Sequence, residues 1–241
     1  AGMALARWIH DGEPPFDLWE VDIRRAEPFQ RNRKYLESRV TESLGILYAD
    51  HFPYREMETS RNIRRSPFHN KMRELGAVFG EVAGFERPNW FAQKGQKPVY
   101  RYSWKKQNWF SNQEKEHNAV RTDVGIFDLS SFGKILVQGK DVVTFLQKTC
   151  AGNIDVEVGK IVYTQILNQR GGIECDLTVS RLNPHEFLLV VPCATLQRDL
   201  NTLKKNLQLN ESVVITNVSS SEAVLGIMGP NSRKVMSSIS P

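Results

Sequence analysis

The sequence predicts an α+β fold of mixed and antiparallel sheets with flanking helices. Three observations carry this. From residue 114 onward, stretches of helical and of extended apolar spacing alternate along the chain. Residues 173–181 separate by parity into an apolar and a polar set, as a strand buried on one face does. Gly171-Gly172 sits between that strand and the one before it, so the two read as a hairpin. Composition agrees: 40% hydrophobic and 24% charged residues in a chain of 241 suit a globular domain, or a domain with an appendage.

In chain order, residues 2–10 carry Met3, Leu5, Ala6, Trp8 and Ile9, the apolar stripe of a short helix that Gly12 and Pro14-Pro15 stop. Residues 33–48 predict a second helix through Tyr35, Leu36, Val40, Leu44 and Leu47. Residues 50–65 are polar and basic, a connection. Ser66-Pro67 predicts the cap and first position of a third helix, bearing Phe68, Met72 and Leu75 and closed by Gly76. Residues 84–112 are aromatic-rich and predict irregular structure, with the alternation Tyr100, Tyr102, Trp104 as an extended segment over a core edge. Beyond it the spacing predicts helices over 114–122, 141–148, 196–207 and from Gly229-Pro230 to Ile239. Strands are predicted over 134–138, 161–167, 173–181, 187–191, 213–218 and 223–228.

The net charge of +5 arises from 32 basic against 27 acidic residues. The basic clusters at Arg24-Arg25, Arg31 to Lys34 and Arg61 to Arg65 lack interleaved aromatics, so they read as solvated surface and no nucleic-acid partner is expected. No apolar run is long enough to span a bilayer. Cys150, Cys175 and Cys193 stand far apart, without a CxxC pair, and predict reduced thiols and no zinc site. No metal is expected: His10, His51, His69, His117 and His185 show no ligand spacing. No GxGxxG or Walker loop occurs, and the sequons at Asn210 and Asn217 read as chance. The opening Ala-Gly-Met-Ala is neither an initiator nor a targeting sequence and predicts a piece of a longer protein.

Chemistry has one place to sit. On the predicted strand 173–181, Ile173, Cys175, Leu177 and Val179 form the inward face. Glu174, Asp176, Thr178 and Ser180 face either solvent or a polar cavity. Tyr163, on the preceding strand with Ile161 and Gln165, packs in the core or faces a ligand; periodicity leaves both open.

Three runs carry a resemblance: Ala119 to Lys134 (AVRTDVGIFDLSSFGK), Tyr163 to Thr178 (YTQILNQRGGIECDLT) and Val224 to Pro230 (VLGIMGP). They resemble, in order and spacing, the aminomethyltransferase (glycine-cleavage T-protein) folate-binding domain. Leu75-Gly-Ala77 and Gly84-Phe-Glu-Arg-Pro88 are similar to an earlier block of that family. Leu5 to Ile9, Asp17 to Arg25, Arg61 to Pro67 and Gly84 to Phe91 resemble the sarcosine and dimethylglycine dehydrogenases. The regulatory subunit of pyruvate dehydrogenase phosphatase shares that architecture.

The resemblance implies residues 1–18 as the tail of an FAD-dependent oxidoreductase domain, 19–65 as a bridge, and 66–241 as the front part of the folate domain. It implies oxidation of an N-methyl amine by FAD, with the one-carbon unit reaching tetrahydrofolate as 5,10-methylenetetrahydrofolate. It also implies an electron acceptor such as electron-transferring flavoprotein and a role in choline degradation. The setting would be a mitochondrial matrix, or a bacterial cytoplasm. The family's second acid after the Gly-Gly turn falls on Asp176, implying a catalytic and folate-orienting carboxylate there. The first acid is replaced by Cys175. Tyr163 falls on a folate-contacting tyrosine, and Phe132 on a position against the pterin. Pro192 replaces a polar asparagine and offers neither a side-chain bond nor a backbone N–H. The alternative is a non-catalytic regulatory subunit of pyruvate dehydrogenase phosphatase with the same architecture.

Overall fold

A computed structural model describes residues 1–240; the predicted domain end at Pro241 lies outside them. Helix α1 (Gly2–Asp11) ends at Gly12, whose φ of 75° is cheap only without a Cβ. Helix α2 (Arg33–Tyr48) begins where Asn32 Oδ1 accepts the N–H groups of Lys34 and Tyr35 at 2.9 and 3.3 Å. Both helices form as their periodicity predicts, but their stripes stay open. Met3, Leu5, Ile9, Leu36, Val40, Leu44 and Leu47 are exposed, and only Ala4 and Tyr35 are buried. Helix α3 (His69–Glu74) starts two residues later than predicted. Ser66 Oγ accepts the Phe68 N–H, and Pro67 lies in the turn before the helix. Met72 is buried there, but Leu75 is exposed.

Strands β1 (Ala77–Val82) and β2 (Phe85–Phe91) form an antiparallel hairpin across Ala83-Gly84, where φ is positive at both residues. The sequence predicts irregular structure from residue 84, where β2 forms, and assigns no element to 77–83. Pro88 explains the difference, because the register shifts between Val78 and Phe79, opposite it, and the alternation is broken. Two ion pairs tie the hairpin to what precedes it, Arg39 of α2 to Glu81 at 2.7 Å and Arg61 of the connecting segment to Glu86 at 2.5 Å. Trp90 and Trp109 stack 6.3 Å apart over Val78. Tyr100 and Tyr102 close this small core, as the alternation predicts, whereas Trp104 stays exposed.

Then follow α4 (Phe110–Thr122), β3 (Gly125–Asp128), β4 (Gly133–Gln138), α5 (Val142–Thr149), β5 (Ile161–Leu167), β6 (Ile173–Asn183), β7 (Glu186–Val191), α6 (Leu196–Asn206), β8 (Val214–Asn217), β9 (Leu225–Met228) and α7 (Ser232–Ile239). The main sheet has the order β5-β6-β7-β4-β8, and β3 pairs with β9. Every ladder among the described residues is antiparallel. An isolated bridge, Arg64 to Phe85, is the parallel pairing found among them.

One face of the main sheet makes the core. Ile135, Val137, Ile166, Leu177, Val179, Leu189 and Val191 pack against Val142, Phe145 and Leu146 of α5 and Leu196, Leu200 and Leu203 of α6. Each fully buried side chain of this kind contributes about 1.5–3 kcal/mol. That burial fixes which residues of β5 and β6 point outward, because a slip of one residue would invert the two faces.

Candidate functional site

The strand register assembles the outward face. Tyr163 pairs with Thr178, Thr178 with Val190, and Val190 with Lys134, a single line across four strands. The neighbouring line starts with Gln165 opposite Asp176. Continued past the strand ends, it reaches Pro192, just after β7, and Phe132, just before β4. The residues predicted from separate motifs, Phe132, Tyr163 and Asp176, thus lie on one face of one sheet, with Pro192 between two of them.

Asp176 is exposed, Tyr163 is 67% exposed and Phe132 is half-buried, so the face is open. Gln165 Nε2 donates to Asp176 Oδ1 at 3.4 Å. The phenol of Tyr163 is a diagonal neighbour of Asp176. Hydrogen bonding toward that carboxylate and its negative charge hold the proton on Tyr163 and raise its pKa. Cys175 and Leu177, on either side of Asp176, are buried, so residue 176 rides on a strand anchored from behind.

The turn before β6 is also built. Asn168 Oδ1 accepts the N–H groups of Arg170 and Gly172 at 3.0 and 2.9 Å, and Asn168 Nδ2 donates to Glu174 at 2.9 Å. Arg198 of α6 binds Glu174 at 2.5 Å and reaches Asp17 at 3.3 Å. The front of the chain and α6 therefore meet beside the start of the site strand.

Two ionisable groups near this face escape the sequence reading. Lys134 is wholly buried; its Nζ donates to the Ser130 carbonyl at 2.8 Å, which pins the turn that carries Phe132. Burial lowers the Lys134 pKa, with Asp128 and Glu222 opposing. Asp199 of α6 is 1% exposed and lies behind the sheet against Cys175. Thr195 Oγ1 donates to its Oδ2 at 2.8 Å, while Oδ1 has no conventional partner. Burial pushes the Asp199 pKa up to about 6 and also raises the Cys175 thiol. The signal was present: residues 196, 199, 200 and 203 form one helical stripe, and Asp199 stands on it among leucines.

Among the described residues, Cys150, Cys175 and Cys193 are free and buried. No group of three His, Cys, Asp or Glu gathers to hold a metal, and no helix is long and apolar enough to cross a membrane.

One face of the antiparallel sheet is the core, and the other, led into by the Gly-Gly hairpin, sets the Asp176 carboxylate beside the Tyr163 phenol. The solved aminomethyltransferase T of Bartonella henselae superposes with a TM-score of 0.60 at 25% identity, covering 73% of this chain and 44% of that one. Residues 68–241 match the GCVT N-terminal domain, and the chain belongs to that family. Residues 11–66 match the FAD dependent oxidoreductase central domain.

The chain is 45% identical over 240 residues to 4-methylaminobutanoate oxidase (formaldehyde-forming) of Paenarthrobacter nicotinovorans, covering 100% of the chain and 29% of that protein. It is 35% identical over 236 residues to the mitochondrial dimethylglycine dehydrogenase of Rattus norvegicus, covering 98% and 27%. The mitochondrial pyruvate dehydrogenase phosphatase regulatory subunit of Mus musculus also matches, 31% identical with 100% and 28% covered. The chain thus spans less than a third of the length of these relatives.

Proposed function

We propose that the protein is an FAD-linked oxidative demethylase of an N-methyl amino acid, and that this chain supplies part of its tetrahydrofolate site. The observation that carries the reading is the meeting of Asp176 and Tyr163 on the open face of β5 and β6. The residues there fit a flat ring bearing N–H groups. Asp176 is an exposed acceptor, Tyr163 stands protonated beside it, and half-buried Phe132 offers a flat apolar surface. Tetrahydrofolate, when bound, supplies the nitrogens that take the one-carbon unit as 5,10-methylenetetrahydrofolate; FAD supplies the oxidation of the amine.

Within this chain, Asp176 accepts ligand N–H groups, balances positive charge developing near them and takes up a proton at Oδ. Gln165 and Tyr163 hold the carboxylate in place from the adjacent strand. Lys134 steadies the 129–132 turn and with it Phe132. The relatives, whose names specify methylaminobutanoate and dimethylglycine, support this substrate class. Electron-transferring flavoprotein is the proposed electron acceptor, and a mitochondrial matrix or bacterial cytoplasm the proposed setting.

Calorimetric titration of the full-length protein with tetrahydrofolate tests the reading. Wild type should bind, and Asp176→Ala should weaken binding about tenfold or more, the worth of a charge-assisted hydrogen bond. Reduction of the flavin by amine should be spared. No heat from wild type at large ligand excess would instead favour a regulatory subunit, the reading that the mouse relative supports.

A further inference from the structure

Away from the sheet face, a hollow of about 560 Å³ opens between β2, the segment before α4 and the first turn of α4. Its size lies within the range of small-molecule sites. Three features of its wall point to one kind of occupant.

The first is charge. Arg55, Lys105 and Lys106 all line the hollow, against one carboxylate, Glu56. Glu56 is already engaged: Asn89 Nδ2 donates to its Oε1 at 2.8 Å and the Glu81 N–H to its Oε2 at 3.1 Å. The cations lack a close carboxylate. Among the described residues neither Lys105 nor Lys106 makes an ion pair, and Arg55 has only the solvent-exposed Glu58 at 4.0 Å. The positive end of α4, which begins at Phe110, adds to the same potential.

The second is a donor without an acceptor. The Tyr100 hydroxyl accepts from Asn89 Nδ2 at 2.9 Å, and among the described residues nothing accepts its own proton. Burial raises its pKa, so the proton stays in place to be given. The third is an aromatic lining. Trp109 meets Tyr100 edge-on at 5.2 Å, and Phe110 is part-exposed with the Lys106 ammonium 4.2 Å above its ring.

We propose that this hollow binds an aromatic carboxylate. The ring lies against Tyr100, Trp109 and Phe110, and the carboxylate accepts a hydrogen bond from the Tyr100 hydroxyl and meets the charges of Arg55, Lys105 and Lys106. A guanidinium fork and a phenol suit a planar carboxylate. The site rests on none of the residues assigned to folate and stands or falls apart from that assignment.

The test is photolabelling of the full-length protein with 4-benzoylbenzoate, which inserts into C–H bonds and needs no nucleophile, followed by peptide mapping. Label is expected between residues 98 and 113. Excess terephthalate should displace it and neutral terephthalamide should not. Lys105→Gln with Lys106→Gln should cut it at least fivefold, with an unchanged melting curve. Tyr100→Phe should weaken labelling while keeping the ring. Absence of label from that peptide, equal displacement by the amide, or full labelling of the double variant would each overturn the proposal.

Discussion

Replacing Asp199 with asparagine should remove a pH dependence from the stability of the protein. The carboxyl is 1% exposed, and burial pushes its pKa up to about 6 from an ordinary 3.8. Its folded pKa therefore lies above its unfolded one, and between those values the folded state keeps a proton that the unfolded chain has released. The stabilisation is complete below about pH 4 and is lost as pH rises through about 6. A shift of roughly two units at about 1.4 kcal/mol each makes the loss about 3 kcal/mol. The groups that face Asp199 are Cys175 from β6 and Thr195 and Arg198 from α6. The thiol is raised and the guanidinium is always charged, so the carboxyl alone titrates in this window. Asparagine keeps an acceptor for Thr195, removes the buried charge and turns an N–H toward the Cys175 sulfur. Urea unfolding between pH 3.5 and 7.5 reads the effect. The two proteins should be similar at about pH 3.5, and the variant more stable by up to about 3 kcal/mol at about pH 7.5. A difference that does not change with pH would refute the reasoning.

Three further outcomes follow from the geometry. Asp176→Asn should lower the titration midpoint of Tyr163, because the charge that holds the phenol proton is gone; ultraviolet titration, with Tyr163→Phe to isolate the signal, reads it, and an unmoved midpoint would mean the two groups do not meet. Arg61→Met leaves Glu86, 4% exposed, without its cation and should destabilise the hairpin layer by about 3 kcal/mol in chemical denaturation. Gly139→Ala should lower stability by at least about 1–3 kcal/mol, since residue 139 has φ of 144° and an added Cβ would lie 2.0 Å from the Ser212 carbonyl oxygen.

What the sequence revealed follows from what each pattern encodes. Strand β6 was legible because one face is buried and the other is not, which writes period two into Cys175, Leu177 and Val179. Helix α5 was legible because Val142, Phe145 and Leu146 are all fully buried. The hairpin of β1 and β2 was not, because Glu86, Arg87, Pro88 and Asn89 break any alternation, and its order rests on ion pairs between distant residues. On α2 the period of Leu36, Val40, Leu44 and Leu47 was plain, but a period says which side is apolar and not what covers it. The site residues came from motif resemblance. Only the register of four strands put Phe132, Tyr163 and Asp176 on one face, and that register includes pairing between strands distant in sequence.

Asp176 and Asp199 lie on opposite sides of β6, and the contrast between them bears on the assignment. Asp199 is enclosed, lacks a full set of partners and titrates near neutrality as a consequence of the fold. Asp176 is open, and its backbone is fixed by the buried side chains of Cys175 and Leu177 and by the ladder to Gln165. A carboxylate whose Cα is rigid and which bonds only to side chains of the neighbouring strand on an open face adds little to the fold. Substitution at residue 176 should therefore leave stability within about 0.5 kcal/mol of wild type. Any loss of folate binding in Asp176→Ala could then not be assigned to unfolding. If that variant unfolds instead, the carboxylate belongs to the scaffold and the proposed site loses its central group.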